Sequence, residues 1–227
     1  MKIERTEVYG FRAALRGMRN PKESWARSDT TFEQGLQWAW DSQLIICLES
    51  PSIGPEDLKL ACGLIKAGSD HRKFLRQIII TTDFTLPIDV WSELDTYKVS
   101  TVRNSCSTMH KLGSRDLTVY DFENEDVKLS YLAELNAMGL AHRSKVEFVD
   151  PDNGRAYGGL MLLEHMKHRL PSGYLQKATY EMSYETAFNM YHARKAHRLP
   201  QWSGPDGICY WIKTLPYMDK FLGLLAG

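Results

Sequence analysis

A chain of 227 residues with zero formal net charge, 43% hydrophobic and 25% charged residues has ample material for a buried core. The neutral balance argues against a dedicated duplex nucleic-acid binder, which needs a basic excess to neutralise phosphates. No apolar run approaches a membrane span, and the opening MKIERTEVYGF lacks the continuous apolar stretch of a secretory leader, so a soluble cytoplasmic protein is expected. The four cysteines, Cys47, Cys62, Cys106 and Cys209, form no CxxC pair and are expected to be reduced thiols.

In chain order, residues 1–11 begin like an edge strand, with Ile3 and Val8 among polar neighbours, and FRAALRGMRN follows with helical spacing. The stretch 32–48, FEQGLQWAWDSQLIICL, is dense in aromatic and aliphatic residues and is expected to form a buried helix. In SPSIGPEDLKLACGLIKAG, Pro55 suits a first helical turn, Glu56 and Asp57 favour its positive end, and Gly68 suits a stop. Leu58, Ala61, Cys62 and Ile65 supply the i, i+3, i+4, i+7 apolar stripe. FLRQIIITTDF (74–84), rich in Ile and Thr, reads as a strand, and Pro87 opens a short helix, PIDVWSEL. The polar loop DTYKVSTVRNSCSTMH (95–110) and an acidic, poorly periodic connection (113–127) come next. Residues 127–139 and 156–168 have helical spacing around a turn at DPDNG. YLQKATYEMS (174–183) reads as a strand whose Ser183 caps the helix YETAFNMYHARKAHR. The C-terminal ICYWIKTLPYMDKFLGLL supplies two short helices broken by Pro216. With no repeat, low-complexity tract or linker, the expectation is one α+β domain spanning 1–227, its antiparallel or mixed central sheet flanked by helices.

Three clusters could carry chemistry. The loop 95–110 gathers Lys98, Ser100, Arg103, Asn104, Ser105, Ser107 and His110, donors suited to an anionic ligand such as a phosphate. The same residues suit a loop that satisfies its own backbone groups. The second cluster is Asn189, Arg194 and Lys195 with His192, His197 and Arg198. Arg194 could grip a phosphate or a pyrimidine carbonyl with two donors. As a solvated helix charge, it would contribute under about half a kcal/mol to stability. The third, EHMKHR (164–169), places His165 and His168 three apart, but no carboxylate or Cys completes a ligand set, so no metal is expected. No GxSxG, Walker A or GxGxxG element is present.

The order of elements carries more than any single cluster. FLRQIIITTDFTLPIDVWSELDTYKVSTVRNSCS resembles the core signature of the flavin-dependent thymidylate synthases. In that family a strand follows a Phe-Glu-His element. A Pro-led helix comes next, then Arg-His-Arg, two residues, Ser, four residues, Ser, one residue, Arg. Here Phe74 opens the expected strand, Pro87 leads the helix, and Ser100 and Ser105 keep the gap between the serines. The family's Asn, four residues, Arg pattern before a Gln-Trp pair is similar to Asn189, Arg194 and Gln201-Trp202, preceded by Leu170-Pro171. The resemblance covers roughly 74–108 and 170–202, with a weaker echo in 55–73. Departures are large: Asp95, Thr96 and Tyr97 stand in the Arg-His-Arg places and Ser107 in that of the final Arg. Leu75 and Arg76 stand for Glu-His, Arg103 for an acid, and Glu185 for a flavin-contacting Arg.

The resemblance implies an α+β fold like that of the family and a site shared among subunits of a homotetramer. It implies binding of a pyrimidine deoxynucleotide, with substrate contacts at Arg194, Ser105, Asn104, Arg103, Lys98 and Ser107. FAD contacts would fall to Asn189, Tyr97, Thr96 and Ser183; no catalytic residue is assigned. The implied reaction is reductive methylation of dUMP to dTMP, with methylenetetrahydrofolate and NADPH as co-substrates, in the cytoplasm of a bacterium or a phage-infected host. The other function left open is a catalytically silent relative that keeps the fold and a nucleotide pocket as a binding or interaction protein.

Overall fold

The computed structural model describes residues 1–33, 37–40, 43–47 and 49–223. In chain order the elements are β1 Lys2–Tyr9, α1 Phe11–Arg19, β2 Thr31–Phe32, β3 Gln37–Trp40, β4 Gln43–Cys47, β5 Pro51–Ser52, α2 Pro55–Lys66, β6 Ile79–Pro87, α3 Ile88–Leu94 and β7 Thr101–Ser105. They continue as α4 Thr108–Lys111, α5 Leu129–Arg143, β8 Phe148–Val149, β9 Ala156–Tyr157, α6 Gly159–His168, β10 Leu175–Ser183, α7 Tyr184–Arg194, α8 Pro200–Ser203, α9 Ile208–Thr214 and α10 Met218–Leu222. The fold is α+β with a mixed sheet of order β3-β4-β1-β6-β10-β7. In it β1 runs parallel to β4, pairing Thr6 with Ile45, and β3 runs antiparallel to β4. Two compact units divide the chain. One comprises Met1, Thr85–Leu94 and Asn104–Ala178; the other comprises Lys2–Phe84, Asp95–Arg103 and Thr179–Gly227.

The second unit is built from the first helix outward. Gly10 lies at φ +97, and a Cβ there would sit 2.1 Å from the Gln77 carbonyl oxygen, so only glycine permits the turn from β1 into α1. Phe11, Ala14, Leu15 and Met18 then present one buried helical face, with the Phe11 ring edge-on to Tyr184 at 5.5 Å. Trp211 packs edge-on to Phe84 at 5.2 Å and donates to Thr6 Oγ1 at 3.1 Å, so its indole N–H is satisfied inside the core.

Asp57 is a buried and heavily bonded charge of this unit. It is 0% exposed and accepts from Arg19 Nε at 2.6 Å, Ser28 Oγ at 2.7 Å and Thr30 Oγ1 at 2.6 Å. The backbone N–H groups of Asp29 and Thr30 add two further bonds. Asp29 returns the favour by accepting from the N–H groups of Glu56 and Asp57 at the start of α2. Burial would raise the Asp57 carboxyl, but its bonds to Thr30, Ser28 and Arg19 outweigh that and hold it below the usual carboxylate range.

In the first unit, α5 and α6 enclose Leu132, Leu135, Met138, Leu162 and Met166 together with Leu117 and Phe122. Trp91 of α3 donates to the Gln176 carbonyl at 2.8 Å. His165 stacks on Tyr157 with centroids 3.9 Å apart, and its Nε2 lies 2.9 Å from Asp150 Oδ2, which Arg169 also holds. Among the described residues no group of three or more His, Cys, Asp or Glu could hold a metal ion, and no helix is long and apolar enough to cross a membrane.

Several local expectations are corrected. The expected helix over 32–48 is replaced, in its described part, by the antiparallel pair β3 and β4. Its aromatic and β-branched residues suit a pleated surface, and a short apolar run does not encode its own period. The segment 1–11 forms an inner strand between β4 and β6 rather than an edge. The strand expected from Phe74 starts at Ile79, because Lys73–Gln77 first makes a 3-10 turn that buries Phe74 and Leu75. The loop 95–110 contains the edge strand β7 and the short helix α4. The helix expected over 184–198 stops at Arg194, and α6 starts at Gly159 after β9.

Candidate functional site

The start of α7 is held rigidly. Ser183 is 1% exposed, and its hydroxyl accepts from the Thr186 N–H at 3.2 Å, so the serine assigned to a cofactor is spent on the cap. Thr186 Oγ1 in turn donates to the Val99 carbonyl at 2.7 Å, fastening the 97–100 turn to the helix. That turn is tight: Ser100 sits at φ +53, the left-handed region that a non-glycine residue enters only when its neighbours hold it there. The Tyr97 carbonyl accepts from Thr101 Oγ1 at 2.8 Å and Tyr180 Oη at 3.4 Å.

This scaffold presents Tyr97 to the far end of α7. Arg194, in the last turn, where a cation complements the helix dipole, donates from Nε to Tyr97 Oη at 3.1 Å. Its guanidinium lies 4.9 Å from the Trp202 ring centroid and 5.9 Å from that of Tyr97. Arg194 Nη1 is 2.9 Å from His197 Nε2, while His197 Nδ1 lies 3.3 Å from the Leu199 N–H. A neutral imidazole has one acceptor nitrogen, so the two contacts cannot both be hydrogen bonds. The ring tautomer decides which of the two is a bond, and the Arg194 contact is the shorter.

A second cluster forms one turn earlier. Glu185, 6% exposed, is held by Arg72 Nε at 3.2 Å and by Arg76 Nε. Arg72 Nη2 donates to Asn189 Oδ1 at 2.8 Å, and its guanidinium lies over the Phe188 ring at 4.8 Å. The ring of His192 packs on the same Phe188 at 4.6 Å. Burial lowers the His192 pKa, as do Lys195 and Arg72, so the ring stays neutral near pH 7. Asn189 and Arg194 therefore belong to different clusters. Five residues at about 100° each turn the side chains about 140° apart.

The remaining candidates are dispersed. Lys98 is exposed, with no ion pair among the described residues, whereas Arg103 is paired with Asp95 at 2.6 Å. Thr96 is exposed. Asn104, Ser105 and Ser107 belong to the other unit, the first two exposed and Ser107 half-buried. Arg72 was not singled out from the sequence, and nothing in its local context separates it from a surface arginine. Trp202 and His197 were visible as neighbours of Arg194, but their contacts with it were not.

No family model matches the sequence, and no curated protein matches it. The fold does match solved structures. A flavin-dependent thymidylate synthase ThyX from Helicobacter pylori, complexed with FAD and dUMP, aligns with a TM-score of 0.65 and 14% identity over 98% of this chain and 97% of that one. Another structure of Thymidylate Synthase X (ThyX) from Helicobacter pylori with FAD and dUMP aligns at 0.66 and 13% identity over 100% of both chains. At such identities the likeness establishes the fold: the chain has the architecture of a flavin-dependent thymidylate synthase.

Proposed function

We propose that this chain is a divergent flavin-dependent thymidylate synthase-like protein that binds a pyrimidine deoxynucleotide at Arg194, His197 and Tyr97, which pack against the buried Trp202. The observation that carries the reading is the place of the Arg194 guanidinium, which donates to Tyr97 Oη at 3.1 Å and lies 2.9 Å from His197 Nε2 and 4.9 Å from the Trp202 ring centroid. A planar guanidinium can donate two bonds to a phosphate or a pyrimidine carbonyl, and the half-buried Tyr97 ring lies beside it as a flat face for a base. That proteins of the same fold hold dUMP supports a uracil nucleotide as the occupant.

Two chemistries share this binding step. In the first, the chain performs reductive methylation of dUMP in the cytoplasm as a homotetramer, with methylenetetrahydrofolate and NADPH as co-substrates. FAD, when bound, would supply the reducing equivalents. Two of the four residues assigned to FAD are engaged elsewhere: Ser183 is buried in its cap and Asn189 accepts from Arg72, while Arg72 and Arg76 hold Glu185. In the second, the chain binds the nucleotide without turning it over, a reading that the Glu185 and Asp95 ion pairs favour because they neutralise cations a flavin or a phosphate would need. Mass spectrometry of small molecules released from freshly purified protein tests both. Flavin with a uracil nucleotide supports the first, the nucleotide alone supports the second, and an unrelated ligand contradicts the assignment.

A further inference from the structure

We infer that Glu185 is an internal occupant of an oxyanion clamp formed by Arg72 and Arg76, and that it sets how tightly the clamp takes a phosphate or diphosphate group. The clamp surrounds Asn189 and does not rest on the nucleotide reading of Arg194, whose ligand is measured separately.

Two guanidiniums converge on one carboxylate whose side chain is 8% exposed. Each guanidinium carries five N–H donors in a planar fork. Among the described residues, the bonds they form go to the two oxygens of Glu185, to Asn189 Oδ1 and, at 3.5 Å, to the Ser69 carbonyl. Most of the donors are thus in surplus, and the Arg76 side chain is 46% exposed, so an incoming anion can reach them. The carboxylate itself lies in the first turn of α7, where the helix dipole favours a negative charge. A phosphate would find the same field and more donors than Glu185 can use. His192 Nε2 is buried beside Arg72 with no hydrogen-bond partner among the described residues, a further polar atom that the internal arrangement leaves unanswered.

Asp70 also lies near Arg76 and Lys195 near His192, so the clamp retains both signs around it. The carboxylate in direct contact with both arginines is nevertheless Glu185. A carboxylate competes with a ligand anion for the same donors and repels it, whereas an amide of the same shape has one acceptor oxygen and no charge, so it competes weakly and does not repel.

The test is titration of the full chain with inorganic pyrophosphate by calorimetry, comparing wild type, Glu185→Gln and Glu185→Gln combined with Arg72→Met. Circular dichroism verifies that each is folded. The expected result is pyrophosphate binding at least about tenfold tighter in Glu185→Gln than in wild type, with the gain abolished by Arg72→Met. Equal affinities in wild type and Glu185→Gln, or a gain that survives loss of Arg72, overturn the inference and leave the three residues as a structural ion triad. Should Glu185→Gln fail to fold, Glu185→Asp keeps the charge but withdraws it by one methylene. A several-fold gain is then expected, and unchanged or weaker binding overturns the inference. Parallel titration with adenosine diphosphate distinguishes the source of the anion. Affinity equal to that for pyrophosphate means that only phosphates are read, and tighter affinity means that the clamp serves a nucleotide diphosphate; both support it.

Discussion

Replacing Arg194 with alanine separates a ligand-binding residue from a packing one. The side chain donates to Tyr97 Oη at 3.1 Å and lies 4.9 Å from the Trp202 ring centroid, so its removal is not neutral for the fold. A hydrogen bond from a charged donor contributes about 1.5–3 kcal/mol and a cation–π contact about 0.5–1 kcal/mol. Arg194 is half-buried, so solvent screening reduces these to a combined stability loss on the order of 1–2 kcal/mol. For a chain of this size that is a fall in Tm of roughly 2–8 °C. It exceeds the effect expected of an exposed helix charge. Binding should respond more strongly: dUMP affinity measured by calorimetry is expected to fall at least about tenfold, equivalent to about 1.4 kcal/mol. Arg194→Lys should recover part of the stability but little of the binding, since an ammonium lacks the planar fork. Measurable dUMP binding that is identical in wild type and Arg194→Ala, beside a lowered Tm, would refute the reasoning and make Arg194 a strut between Tyr97 and Trp202.

Asp57→Ala should destabilise by about 3–5 kcal/mol in urea titrations, because it leaves the buried Arg19 guanidinium without its counter-charge. The Asp57 carboxyl is held below its ordinary value in the folded chain, so its stabilisation is complete above an unfolded pKa of about 3.9 and is lost as pH falls through the lower folded value. An acid-unfolding series should therefore show a shallower dependence in Asp57→Asn than in wild type over that window. Burial pushes the Cys209 thiol up to about 11 and also raises Cys47, while Cys106 is exposed. At pH 8 a maleimide should modify Cys106 well before either buried thiol, as peptide mapping would show. Light scattering at micromolar concentration should give a mass well above the 26.1 kDa chain if the proposed homotetramer forms; a monomer at all concentrations contradicts it.

What was legible in the sequence is what depends on near neighbours. Pro55, the acidic pair Glu56-Asp57 and Gly68 marked α2 because caps and dipoles act within a turn. Ser183 marked the start of α7 for the same reason. Asp57 was legible as a helix-start acid but not as the buried hub of its unit, since the groups that bind it come from positions 27–38 residues away. The pairing of β3 with β4 was hidden because a short Trp- and Ile-rich run has no decisive period. Around α7, Asn189 and Arg194 read as members of one cluster, yet each takes partners from a different part of the chain. Glu185 stood out only as a departure from a family pattern. Its arginines lie 109 and 113 residues upstream, a juxtaposition that only the folded chain reveals.

The central claim, that the unit holding Arg194, His197, Tyr97 and Trp202 takes a pyrimidine deoxynucleotide, is tested most directly by calorimetric titration of the wild-type chain with dUMP against adenosine monophosphate. Saturable dUMP binding at least about tenfold tighter than adenosine monophosphate binding is the predicted result; no saturable dUMP binding, or equal affinity for the two nucleotides, would contradict it.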